Sequence, residues 1–66
     1  TLDHKRGILG RIEDLAVQAG AHDPRQLAHQ LCMLMDGAIV VAMISKDPGA
    51  AKLAAGAAEA LLRDQV

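Results

Sequence analysis

The chain has 66 residues, a formal net charge of −1, no Phe, Tyr or Trp, and one cysteine, Cys32. These numbers exclude a disulfide staple within the chain, a basic footprint for nucleic acid and the side chains that bury the most area each. A domain of this size buries only about 60% of its unfolded surface and usually needs a staple or a partner.

The pattern predicts three helices and no strands. The first spans about 3–19. Ile8, Leu9, Ile12, Leu15, Ala16 and Ala19 recur at helical spacing, with Asp3, Arg6, Arg11, Glu13, Asp14 and Gln18 elsewhere around it. Gly7 and Gly10 weaken its first turns. Gly20 stands where a left-handed C-terminal cap belongs.

The second helix spans about 24–45 and opens on Asp23-Pro24-Arg25-Gln26. Asp accepts the free amides of a first turn, Pro fits the first helical position, and Gln26 can close a capping box. Ala38 to Ile44 is rich in β-branched residues and has a rival reading as a strand. Leu27, Leu31, Leu34, Ala38 and Ala42 keep helical spacing across it with no turn signal between them, which favours the helix.

The third helix spans about 48–63 and opens on Asp47-Pro48, repeating the earlier dipeptide. It is alanine-rich, and Glu59 and Arg63 form an i, i+4 pair in the favourable order. The short links place neighbouring helices antiparallel.

The helices differ in how many faces are apolar. In the second, Leu27, Leu31, Leu34, Met35, Ala38 and Ala42 form one stripe opposite His29, Gln30 and Asp36. After Asp36 the opposite side turns to Gly37, Val40, Met43 and Ile44. In the third, Ala51, Ala54, Ala55, Ala58, Leu61 and Leu62 form one stripe, and Ala50, Leu53, Ala57 and Ala60 another. Helices apolar all round are buried helices, and one short chain cannot cover both sides of two of them. The simplest cover is a second copy, making a four-helix bundle from the last two helices of each chain. Its expected interface is Val40, Met43, Ile44, Ala54, Ala58, Leu61 and Leu62. The alternative is that these are interior helices cut from a larger domain.

Four stretches in this order resemble the C-terminal end of TetR-family transcriptional regulators: Asp23-Pro24-Arg25-Gln26-Leu27-Ala28, Leu34-Met35-Asp36-Gly37-Ala38, Asp47-Pro48-Gly49-Ala50-Ala51 and Ala57-Ala58-Glu59-Ala60-Leu61-Leu62. The resemblance implies an all-helical homodimer whose last two helices pair with their mates. It also implies a separate N-terminal helix-turn-helix that reads operator DNA and a small-molecule effector that releases it. No segment resembles that DNA-reading module, so the chain reads as a C-terminal fragment that does not bind DNA specifically by itself. The rival function is a free-standing helical adaptor that takes a partner's helix in an apolar groove.

Other sites are weaker. His29, Cys32 and Asp36 lie at i, i+3 and i+7, and all three types bind zinc, which gives a remote reading as a metal-assisted helical enzyme. Cys32 lies in an apolar run and reads as a small hydrophobe. His4 and His22 have no partnered spacing and read as solvated. Asp36 marks the boundary of the helix's wet face, with a bond across a dimer or contact with a ligand in the parent protein as alternatives. Met33, Met35 and Met43 read as core filling, with the lining of an adaptable pocket as the alternative. Thr1 and Ser45 are the only hydroxyl residues, and no nucleophile–base set or phosphate loop is present. No enzyme, cofactor or metal is expected. A lone cysteine, no visible signal peptide and no strictly apolar run beyond Gly37 to Ile44 lead to the expectation of a cytoplasmic chain without a membrane partner.

Overall fold

Local capping chemistry sets the helix boundaries in the computed structural model, which describes residues 2–66. Helix α1 spans Leu2–Ala19 and runs unbroken through Gly7 and Gly10. It stops at Gly20, whose φ of 85° lies in the left-handed region. The Gly20 amide donates to Val17 O at 3.1 Å and the Ala21 amide to Ala16 O at 3.1 Å. That pair of bonds is a Schellman motif, which satisfies carbonyls the helix leaves open.

Helix α2 spans Pro24–Ser45, with Pro24 in the first turn. Asp23 is its N-cap: the Gln26 amide donates to Asp23 Oδ1 at 3.1 Å. The stretch Ala38 to Ile44 is helical throughout, so the strand reading is excluded. The helix ends against Lys46, a non-glycine residue in the left-handed region at φ 50°.

Helix α3 spans Ala50–Gln65, beginning two residues later than the repeated Asp-Pro signal predicts. Asp47 is spent on a turn, its Oδ1 accepting the Gly49 amide at 2.8 Å and its carbonyl the Ala50 amide at 3.2 Å. Gly49 is the N-cap and makes no side-chain cap bond. A Cβ at Gly49 would lie 3.2 Å from Asp47 Oδ1, so the turn is tight against its own acceptor. Helix α3 also runs past Arg63 to Gln65.

Helices α1 and α3 each pack on α2 and not on each other. An ion pair between Lys5 and Asp36 and hydrogen bonds from His22 and Asp23 to Gln65 fix both pairings as antiparallel. The result is an open layer of 35 × 29 × 13 Å, its thin dimension close to the width of one helix. Its radius of gyration is 12.5 Å, whereas a compact domain of this length has roughly 11 Å.

The interior is correspondingly small. Among the described residues Ala16, Leu27, Ala28, Ala50 and Gln65 are buried, and Leu27 is the largest side chain fully out of water. On α1 the inward stripe is narrower than the sequence predicts: Ala16 is buried, Leu9 and Ile12 are half-buried, and Ile8, Leu15 and Ala19 are exposed. One neighbouring helix covers only one narrow strip of α1.

Candidate functional site

Two features of the layer are candidates for function: its open apolar face and the grooves beside α2. The chain exposes 5028 Å² of surface. A compact folded monomer of this mass exposes roughly 4,000 Å², so the surplus is roughly 1,000 Å².

Most of the exposed large apolar side chains lie on α2 and α3, although Leu15 and Val17 of α1 are exposed as well. Ile44 is 78% exposed, Leu53 74%, Met43 72% and Met33 67%. Ile39, Val40 and Val41 are also exposed in one run. A groove of about 350 Å³ between the two helices is lined by Met33, Leu34, Gly37, Ala38 and Val41 from α2 and by Ala50, Leu53 and Ala54 from α3. Nothing lies within 4 Å of a Cβ placed at Gly37 or Gly56, so both glycines face open space.

The residues expected at a dimer interface fall into two groups. Val40, Met43, Ile44 and Leu62 are exposed. Ala54, Ala58 and Leu61 are half-buried on the side of α3 that also carries buried Ala50 and Gln65, turned toward the chain's own interior. The steps 50, 54, 58, 61 and 65 trace one helical face. The alanines of α3 look alike in sequence, so only the packing identifies which of them point inward.

A second groove, of about 480 Å³, lies between α1 and α2. It is lined by His4, Lys5, Arg6, Ile8, Leu9, His29, Cys32, Met33, Met35, Asp36 and Ile39. Asp36 is solvent-exposed and accepts from Lys5 Nζ at 2.7 Å. That hydrogen bond and the carboxylate's charge raise the Lys5 pKa above its ordinary 10.5. Sequence reasoning singled out Asp36 and missed Lys5, 31 residues away. Antiparallel pairing of α1 with α2 was the signal that connects them. His29, Cys32 and Asp36 share this groove, yet no group of three potential ligands among the described residues is arranged to hold a metal ion. The free thiol of Cys32 is half-buried.

Gln65 is the structural residue that the sequence pattern concealed. Its side-chain Oε1 accepts the Asp23 amide at 2.7 Å and its main-chain carbonyl accepts the His22 amide at 3.0 Å. It therefore takes the part expected of Gln26 in the capping box and ties the end of α3 to the start of α2. Glu59 and Arg63 approach at 3.9 Å as the i, i+4 spacing predicts.

Helix α2 has 22 residues and a mean hydropathy of 1.8 over an 18-residue stretch, so by length and composition alone it could cross a bilayer. Asp36 stands within it, and a carboxylate near a bilayer centre costs about 2.5–3.5 kcal/mol on insertion scales. No protein-family model, no curated protein and no solved structure matches this chain.

Proposed function

We propose that this chain is a self-associating helical module, and that it supplies the dimer-forming C-terminal part of a TetR-like transcriptional regulator. The carrying observation is the surplus surface. A stable protein–protein interface takes about 800 Å² from each partner, and the layer exposes roughly 1,000 Å² more than a compact monomer of its mass.

The α2–α3 face has the composition of such an interface. Met33, Val40, Val41, Ile44 and Leu53 present apolar side chains, and Gly37 leaves room for close helix approach. Two layers stacked on this face make a bundle of four helices, two from each chain. The bundle buries Met33, Val40, Val41, Ile44 and Leu53 and leaves Ala54, Ala58 and Leu61 in each chain's own α2–α3 packing. Protein rather than lipid is the cover for α2 in this reading, because Asp36 and its ion pair with Lys5 are compatible with water. The TetR part of the proposal rests on the order of the Asp-Pro, Asp-Gly-Ala and Leu-Leu motifs. In the parent, operator contact belongs to a separate module and effector release to the wider domain. The chain works by binding, without catalysis, in the cytoplasm.

Sedimentation of the purified chain across micromolar concentrations tests the association. The expected result is a reversible dimer that Ile44→Asp and Leu53→Asp each convert to monomer, since both positions are exposed and tolerate the change in a folded single chain. A wild-type chain that stays monomeric at every concentration overturns the proposal. A monomer that instead binds one foreign amphipathic helix with unit stoichiometry establishes the adaptor reading.

A further inference from the structure

We infer that α1 opens from α2 as a unit, pivoting at the Gly20 link, and that Gln65 is the latch that keeps it closed. Every group involved belongs to one chain, so this device stands apart from self-association. The hold of α1 is weak in composition and in packing. It packs on α2 and not on α3. Among its described residues Ala16 alone is buried, with Leu9, Ile12 and Glu13 half-buried. Gly7 and Gly10 lower its intrinsic helix preference. Its ion pair to α2, Lys5 with Asp36, is exposed on both sides, where water and salt weaken it. An element with few buried contacts opens ahead of global unfolding.

The corner between α1 and α2 is held differently. The amides of Gly20 and Ala21 donate back into α1. The next two, those of His22 and Asp23, donate to the main-chain carbonyl and side-chain Oε1 of Gln65 at 3.0 and 2.7 Å. Asp23 in turn accepts the Gln26 and Leu27 amides of α2. All three helices therefore meet at one corner, although α1 and α3 do not pack on each other. Gln65 is buried, so its bonds are sheltered from competing water. A corner fixed in this way aims α1 along α2 before their own contacts form, which lowers the ordering entropy that docking must overcome. Freeing the corner restores that cost, and α1 opens more often. Gly20, already left-handed at φ 85°, has the backbone freedom of a pivot. Opening uncovers the side of α2 that faces α1, where Cys32 lines the shared groove. The last turn of α3 thus governs access to a side of α2 that α3 does not cover.

Cys32 is half-buried and the chain's only thiol, so it reports the opening. The whole chain is mixed with an aromatic disulfide, dithionitrobenzoate, and release of the coloured thiolate is followed across a urea series. At low urea the expected rate is about tenfold or more below that of the unfolded chain and nearly independent of urea, because opening of α1 exposes little surface. At higher urea the rate takes the steep slope of global unfolding. Gln65→Ala raises the low-urea rate by about fivefold or more, and Gln65→Glu, which keeps an acceptor, raises it less. A merely stabilising role for Gln65 moves the steep limb alone. A low-urea rate unchanged in Gln65→Ala means that Cys32 reacts in the closed chain, and overturns the inference. So does a steep slope at every urea concentration, since Cys32 then reacts only when the whole chain unfolds. Hydrogen exchange on the unaltered chain is the second check. The amides of α1 are expected to follow the shallow slope and those of α2 around Leu34 the steep one, and both helices exchanging together overturns the inference.

Discussion

The Asp23 amide donates to Oε1 of Gln65 at 2.7 Å, joining residues 42 positions apart. This bond closes the α1–α2 link against the last turn of α3. It is part-buried, and removing the acceptor leaves the amide without its partner. Gln65→Ala is expected to cost about 1–3 kcal/mol, which for a chain this short lowers Tm by roughly 4–8 °C per kcal/mol. Gln65→Glu keeps an acceptor at the same reach and loses less. Thermal melts followed by circular dichroism compare the two. Equal losses in both variants would mean that packing of the side chain matters and its acceptor does not.

Lys46 stops α2 in a left-handed conformation that costs a residue with a Cβ about 1–2 kcal/mol. Glycine adopts it freely. Lys46→Gly is expected to stabilise the chain by about 1 kcal/mol, read as a higher urea midpoint at unchanged slope. An unchanged or lower midpoint refutes this account of the helix end.

Gly37 and Gly56 lie in helix interiors with open space where a methyl group would stand, so nothing within the chain opposes alanine. Alanine at either position is expected to raise single-chain stability by about 0.5–1 kcal/mol. The Gly37 methyl group stands on the face assigned to self-association, where it holds two helices apart, whereas Gly56 lies beside the polar strip of Lys52, Glu59 and Arg63 and serves as the control. The expected signature for Gly37→Ala is opposite signs: a higher melting temperature at high dilution and a weaker dimer by sedimentation. Unchanged or tighter association in Gly37→Ala would argue against close approach at that glycine.

The Lys5–Asp36 pair yields a pH prediction. The pair raises the folded-state pKa of Lys5 above 10.5. Its stabilisation is therefore fully present below the unfolded value and is lost as pH rises through the folded value. Both side chains are exposed, so the effect is small and fades with added salt. Stability is expected to show a slight alkaline decline above about pH 10.5 that Lys5→Gln removes. A decline of the same size in that variant assigns it to other groups.

The helices themselves were legible because their signals are local. Gly20 and Asp23 act within one turn of the residues they cap, and each does what its side chain and backbone freedom dictate. The second Asp-Pro was misleading for an equally local reason. Asp23 reaches the amide three residues on, whereas Asp47 reaches the amide two residues on and forms a turn. The two dipeptides are identical, and the glycine after the second admits the tighter geometry. Gln65 and Lys5 were not legible, because each meets its partner only after α2 has aligned with a neighbour. The inward side of α3 was hidden too. Ala50, Ala54 and Ala58 differ from Ala51, Ala55 and Ala57 in position alone, and a composition of alanine carries no directional hydrophobic signal.

A slab only 13 Å thick has no interior remote from solvent, and this shapes its calorimetry. Unfolding such a slab hydrates little new hydrocarbon, so its heat-capacity increment falls below the about 12–15 cal/mol/K per residue of ordinary domains. Stacking a second slab restores the deficit. Dilution should therefore flatten the curvature of free energy with temperature as well as lower the midpoint, linking the shape of the stability curve to how many molecules share the tube.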